Sequence, residues 1–556
     1  MGRVIARVIS GLLFLGSVGD IAGIAGIGGI GTALAQGGGA EPLSVRVVPW
    51  GPSPAVVEAA RRGLLANPSV RKVLGNAETR LLSLSIVDAP PSNSALSSPP
   101  DRFRAEIFDY THNRAYLAEG SLGNPADLRV SPTAIQPEPD DKELEKAIAI
   151  AAADPQLGPA LRKGQLAPYA PMPPLVDGGV PAGTVDRTVA VGLAARDATV
   201  SHEIVGVDMI HRKVVRYRSR APQAARATAA SCGVADAGQP TTSRGTAGQA
   251  MITISKGSTP IWSFVAIRPS ASSGLRASGV ELRDVYYRGK KVLARAHAPI
   301  LNVHYDGDAC GPYRDWQWEE GNFVARGFDI LPGVRGLTAP PETILENSSD
   351  NGNFRGLAYY VDEDSVTLVS EMEAGWYRYV SRWTFDADGT LHPRFGFDGV
   401  EDSCICVLHH HNVYWRFDFD VVTPENNQIF TVDNGTPVAQ TAEVRQLRAP
   451  GRTWLVRNTQ SGEAYSIVPG PFDGTADSYA KGDVWLLLAK SGTELDDGVN
   501  CTQCGSTAVQ LDRFVEPEPL SAASNVVVWY AGHFDHDVNA PVEHNLLGPD
   551  LVPVGW

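Results

Sequence analysis

The chain has 556 residues, more than one compact core accommodates, so two to four domains are expected. A hydrophobic fraction of 43% and a charged fraction of 20% are those of an ordinary globular protein, and 56 Gly with 40 Pro point to a loop-rich, mainly β chain. A formal charge of −14 at pH 7 argues against nucleic acid as a partner, because phosphate recognition needs basic patches.

The N-terminus reads as an export signal over residues 1–35. Arg3 and Arg7 precede an apolar stretch, and Ala33-Leu34-Ala35 before Gln36 is a small-residue cleavage site. A periplasmic or extracellular location follows, and six cysteines, an even number, suit disulfides there. Cys501-Thr-Gln-Cys504 is read as part of that framework ahead of a zinc half-site or a redox pair, with the connectivity open. No later segment is apolar over the roughly 18 residues a membrane span needs.

Leu43 to Val48 alternates as a strand, and a helix follows from Ser53-Pro54 through Leu65, stopped at Asn67-Pro68. With strands at Leu81–Val87 and Arg102–Asp109 this forms a small α+β unit over 42–125. A helix at Lys142–Ala153 and strands near Thr188–Leu193, Val200–Asp208 and Lys213–Arg218 make a second unit over 140–218. Residues 219–250 are Ala, Gly, Ser and Thr with scattered Arg, a linker by composition. From Met251 short alternating strands take over. A hairpin turns at Arg288-Gly289-Lys290-Lys291, and further turns fall at Asp386-Ala-Asp-Gly389 and Asp433-Asn434-Gly435. Residues 251–556 are therefore expected to fold as a large antiparallel β-sandwich.

Chemistry concentrates in Cys404 to Asp420. On a strand successive side chains point to opposite faces, so His409 and His411 share one face and His410 takes the other. Two imidazoles at this spacing are a preformed half of a copper or zinc site. Asp418 and Asp420 repeat the spacing with hard oxygen donors suited to calcium.

Residues 251–556 resemble the catalytic domain of copper amine oxidases of the topaquinone type, as a divergent and shortened member, and the two α+β units resemble the small domains preceding it there. His409-His410-His411 followed by Arg416-Phe-Asp418 resembles the family's H-x-H strand, which implies His409 and His411 as copper ligands. Trp529-Tyr-Ala-Gly-His533-Phe-Asp-His536 resembles the segment bearing the third ligand. The ligand there lies seven residues after the tryptophan, which implies His536 rather than His533. Gly375-Trp376-Tyr377-Arg378-Tyr379 resembles the cofactor segment, implying that Tyr377 is oxidised in place to topaquinone. Trp376 stands where the family has Asn, and Arg378 where it has an acid. Tyr313-Arg-Asp-Trp-Gln-Trp318-Glu319 resembles the segment of the catalytic base, implying Glu319 in that role. Tyr305 matches, by register, a tyrosine that hydrogen-bonds the quinone oxygen. Asp418 and Asp420 match a peripheral calcium-type site, with Asn525 as a further contributor.

The resemblance implies a homodimer and a copper cofactor, with a small primary amine and dioxygen as reactants. The products would be an aldehyde, ammonia and hydrogen peroxide. The alternative is a copper-binding homologue without the quinone, which binds or stores copper or runs another copper oxidation.

Overall fold

The computed structural model describes residues 41–87, 99–124, 127–133, 136–137, 139–169, 175, 187–196, 199–200, 203–216, 232–235, 249–268, 280–305, 312–315, 334–347, 349–350, 356–374, 376–490, 510–536 and 546–556. The expected export signal, Glu319, Cys501 and Cys504 lie outside these residues. Among the described residues no helix is long and apolar enough to cross a membrane.

Two large sheets carry the fold. A ten-stranded sheet runs from Leu43–Pro49 through Gln249–Lys256, Thr259–Ile267 and Glu281–Tyr287 to Lys290–Tyr305, His409–Phe419 and Val526–His536. An eleven-stranded sheet holds Ser365–Ala374, Tyr377–Asp386 and Leu391–Gly399 side by side. All of these neighbours pair antiparallel. One core joins the sheets, and Phe264 of the first stacks on Phe385 of the second with ring centroids 4.2 Å apart. The mainly β, antiparallel sandwich expected from the alternating strands is the architecture observed.

The hairpin expected at Arg288-Gly289 forms, with φ of 48° and 76° at these residues. Both angles are positive, as a two-residue turn of the primed type requires. Asn434 and Gly435, with φ of 49° and 81°, make the same turn between Asn427–Asp433 and Thr436–Ala439.

Each small unit is a four-stranded sheet covered by two helices. In the first, the helix Pro54–Leu64 ends before Asn67-Pro68, which then opens a second helix, Pro68–Leu74. The Asn67 side chain accepts from Ser69 N at 2.9 Å, and proline suits the first helical position because that N–H has no partner to lose. The units are joined through a buried triad. Tyr110 Oη donates to Glu143 Oε1 at 2.5 Å, and Arg187 pairs with the same carboxylate while lying 5.0 Å from the Phe108 ring.

Two expected boundaries are corrected. Leu43–Pro49 belongs not to the first small unit but to the large sheet, where it pairs with Gln249–Lys256. Part of the expected linker is tied down: Cys232 is disulfide-bonded to Cys406 and bridges Asp402, while Val234 bridges Val400. Ordering residues 232–235 costs roughly 1–2 kcal/mol each. Their four backbone hydrogen bonds return about 0.5–1.5 kcal/mol apiece, an amount of the same order, and the covalent bond adds to it.

His392 fastens the C-terminal strand. Its Nδ1 faces Asp550 Oδ1 at 2.6 Å and its Nε2 faces Asp386 Oδ2 at 2.9 Å. These two hydrogen bonds, against a smaller desolvation, raise its pKa to about 9. A histidine with a raised folded pKa contributes stability that is full below its unfolded value near 6.5 and lost as pH rises through 9. His392→Asn is expected to cost on the order of 1–3 kcal/mol at pH 6, and the gap to wild type should shrink by pH 9.5 in denaturant titrations.

Candidate metal centre

The ladder between His409–Phe419 and Val526–His536 sets His409 directly opposite His536, and the adjoining strand sets Tyr305 opposite His409. A rung of aromatic side chains therefore lies across three strands on the core-facing side. His411 joins it from two residues along. Nitrogens of His409, His411 and His536 all lie within 4.8 Å of one another, and all three residues are buried. This is the one such ligand group among the described residues. His533, three residues from His536, falls on the opposite face, with its Nδ1 2.7 Å from Asn412 Oδ1 and its Nε2 2.9 Å from Asp483. His536, and not His533, is the one grouped with His409 and His411.

Tyr377 begins its strand in the other sheet and reaches across the core to the triad. Its Oη donates to His409 Nε2 and lies 3.2 Å from His536 Nδ1, while those two nitrogens are 3.0 Å apart. Phe397 stacks on His411 at 4.2 Å, and the Tyr377 ring meets His411 edge to face at 4.6 Å.

Burial in this apolar setting dominates the electrostatics. It pushes His409 down to about 3, helped by the neighbouring His536, and pushes His411 well below the ordinary histidine value. His409 and His411 are therefore neutral at neutral pH, the state in which nitrogen lone pairs bind metal. His411 Nε2 is buried without a hydrogen-bond partner among the described residues. An orphaned buried ring nitrogen of this kind is costly unless a ligand satisfies it, and three imidazoles at this separation suit copper or zinc.

The ring of Tyr305 stacks on His409 at 4.6 Å, and its Oη accepts from Trp376 Nε1 at 2.9 Å. Tyr305 thus lies beside His409, the residue to which Tyr377 hydrogen-bonds, and beside Trp376. Trp376 in turn meets Tyr169 of the second small unit edge-on at 6.2 Å. Arg378, on the far side of the strand from Tyr377, is buried against Asp350 in a two-pronged pair of 3.0 Å contacts. Asp350 was not foreseen, since it lies 28 residues away in sequence. Glu319, the expected base, lies outside the described residues.

Asp418 and Asp420 engage protein cations. Asp418 accepts from Arg416 at 3.1 Å, and Lys291 sits 3.0 Å from both Asp420 and Asp284. Burial holds Asp420 up at about 6. Its Oδ1 and the Oδ1 of Asn525 are both buried without hydrogen-bond partners among the described residues.

No protein-family model matches the chain, and no curated protein matches it. Solved structures do. A copper-containing benzylamine oxidase from Hansenula polymorpha aligns with a TM-score of 0.57 at 14% identity, covering 88% of this chain and 96% of that one. The lysyl oxidase of Pichia pastoris aligns at 0.54 and 13% identity, covering 86% and 85%. An amine oxidase from Aspergillus nidulans aligns at 0.52 and 13% identity, covering 94% and 90%. The chain has the fold of these oxidases.

A histidine kept neutral in the folded state stops taking up the proton it would bind when unfolded. Its contribution is full above pH 6.5 and declines as pH falls toward 3. Metal-free protein should lose stability steadily between pH 6.5 and 4 in thermal melts, and His411→Asn should flatten that decline. An unchanged slope would remove His411 from the set of buried neutral imidazoles.

Proposed function

We propose that the chain is a copper-dependent oxidase that deaminates a primary amine, with Tyr377 as the residue converted to the quinone. The observation that carries this reading is the Tyr377 phenol donating to His409 inside a buried group of three imidazoles. His409, His411 and His536 would hold the copper. Copper bound there supplies activation of the adjacent phenol toward dioxygen. The fold neighbours, two of them amine oxidases by name, support the same chemistry.

The chain's own residues set the rest. The ring of Tyr377 is held by Phe397 and Tyr379, and its strand is locked from behind by Arg378 and Asp350. Glu319 is proposed as the base that takes the α-proton of the bound amine, since a desolvated carboxylate gains basicity. Primary amine, dioxygen and water would give aldehyde, ammonia and hydrogen peroxide. We also propose a hard cation such as calcium at Asp420 and Asn525, whose orphaned oxygens it would satisfy. Export and a homodimer complete the proposal.

A second reading keeps the copper and leaves Tyr377 a phenol. It is favoured by Trp376, which stands where the resembled pattern has Asn and hydrogen-bonds Tyr305.

Mass spectrometry of the peptide bearing Tyr377, after aerobic copper loading, separates the two. The expected product carries two more oxygens and two fewer hydrogens and reacts with phenylhydrazine, while Tyr377→Phe gives neither signal. An unmodified Tyr377 beside a loaded copper site would favour the second reading.

A further inference from the structure

The ligand His409 emerges from a turn that is tied to a distant part of the chain. The 3-10 turn Ser403–Cys406 ends three residues before it, and Cys406 is disulfide-bonded to Cys232, 174 residues earlier. The tether lies flush on the sheet edge. Cys232 and Asp402 exchange backbone hydrogen bonds of 3.2 Å, Val234 N donates to Gly399 O at 2.9 Å, and Glu401 N donates to Val234 O at 2.7 Å. Gly233 sits at φ 93°, and a Cβ there would come within 2.4 Å of the Gly399 carbonyl oxygen. Only glycine allows that approach.

The turn is closed by Asp402, whose side chain accepts from Cys404 N at 2.8 Å, and by Val407 N donating to Cys404 O at 3.2 Å. Val407 then presents its own carbonyl to His409 Nδ1. A carbonyl only accepts, so Nδ1 carries the proton and the lone pair is on Nε2, the atom facing Tyr377 and His536. The backbone partner of a ligating imidazole sets its tautomer and its angle.

We propose that the Cys232–Cys406 disulfide is a positioning device for the metal centre, so that the chain binds its metal tightly only when this bond is formed. It rests on the reading of His409, His411 and His536 as a metal site. The closed bond pins the Cys406 end of the turn, whose Cys404 is disulfide-bonded as well, the turn fixes the Val407 carbonyl, and the carbonyl aims Nε2 of His409. Reduction by a dithiol breaks the Sγ–Sγ bond. Two electrons and two protons pass from the dithiol to the pair, leaving two thiols on the chain and a cyclic disulfide on the reagent. Closure is the reverse, with a disulfide oxidant accepting the same electrons. Metal loading is thereby coupled to the thiol–disulfide poise around the chain.

The test uses the full chain with Zn²⁺, which has no redox chemistry of its own, and with Co²⁺, whose visible bands report ligand geometry. Cys232→Ser and Cys406→Ser are combined, so that no stray thiol competes as a ligand. Zn²⁺ affinity is read by competition with a chelator, and folding by circular dichroism. The double variant is expected to bind Zn²⁺ about 10–100-fold more weakly, the usual cost of losing an orienting partner. Its Co²⁺ bands should shift, and the downfield Nδ1 proton of His409 should vanish from the NMR spectrum. His392→Asn, destabilised elsewhere, should keep wild-type affinity. Should the double variant fail to fold, folded wild type is reduced with a phosphine and its thiols are capped with iodoacetamide before the same titration. A folded double variant or a capped wild type within twofold of the untreated affinity overturns the proposal. A wild-type chain that binds neither Zn²⁺ nor Cu²⁺ overturns the metal site itself, a separate failure visible before any cysteine is altered.

Discussion

Three buried imidazoles gathered around one point are the constraint on which the rest of this structure depends. Water removal depresses the proton affinity of His409 and His411, and His411 Nε2 is left buried without a hydrogen-bond partner among the described residues. Such an arrangement is unfavourable by itself, because each buried acceptor forfeits hydrogen bonds to solvent. It persists because the strands around it are fixed by pairings that do not involve the site. His409–Phe419 is flanked on both sides, by Lys290–Tyr305 and Val526–His536, and its register cannot slip without moving Phe417 and Phe419 out of the core. The two sheets then bring Tyr377 to the triad from the opposite side.

Much of this was legible because strand periodicity is a strong local signal. His409 and His411 share a face by alternation alone, and the seven-residue interval from Trp529 selected His536. Alternation also put Arg378 away from the Tyr377 ring, as found. What escaped was long range or depended on a partner's identity. The Cys232–Cys406 pairing spans a segment whose composition reads as a free linker. Asp350 gives no local sign that it will meet Arg378. Leu43–Pro49 looks like any amphipathic strand, and nothing nearby says that its partner lies two hundred residues on. Asn67-Pro68 stops the first helix as expected, but the helix it opens gives no separate sign, because proline marks both the stop of one helix and the start of the next.

The departures from the resembled pattern gather on one side of the centre. Trp376 donates to Tyr305, Tyr305 stacks on His409, and Tyr169 of the second small unit closes on Trp376. Gly192, opposite Tyr169 in the neighbouring strand, leaves the space that the tyrosine ring occupies, since a Cβ there would lie 2.1 Å from it. The small unit is thus packed against the wall of the site. Trp376 joins that wall, through Tyr305, to His409, so changes in the second unit have a physical route to the candidate metal centre.

The central claim is a copper centre of three imidazoles, and its most direct measurement is electron paramagnetic resonance with X-ray absorption on the copper-loaded full chain. The account predicts one copper per chain, a nitrogen-dominated first shell of three imidazoles, and loss of that signature when His536 is replaced. Copper held by fewer imidazoles, or an unchanged spectrum in the His536 variant, would contradict it.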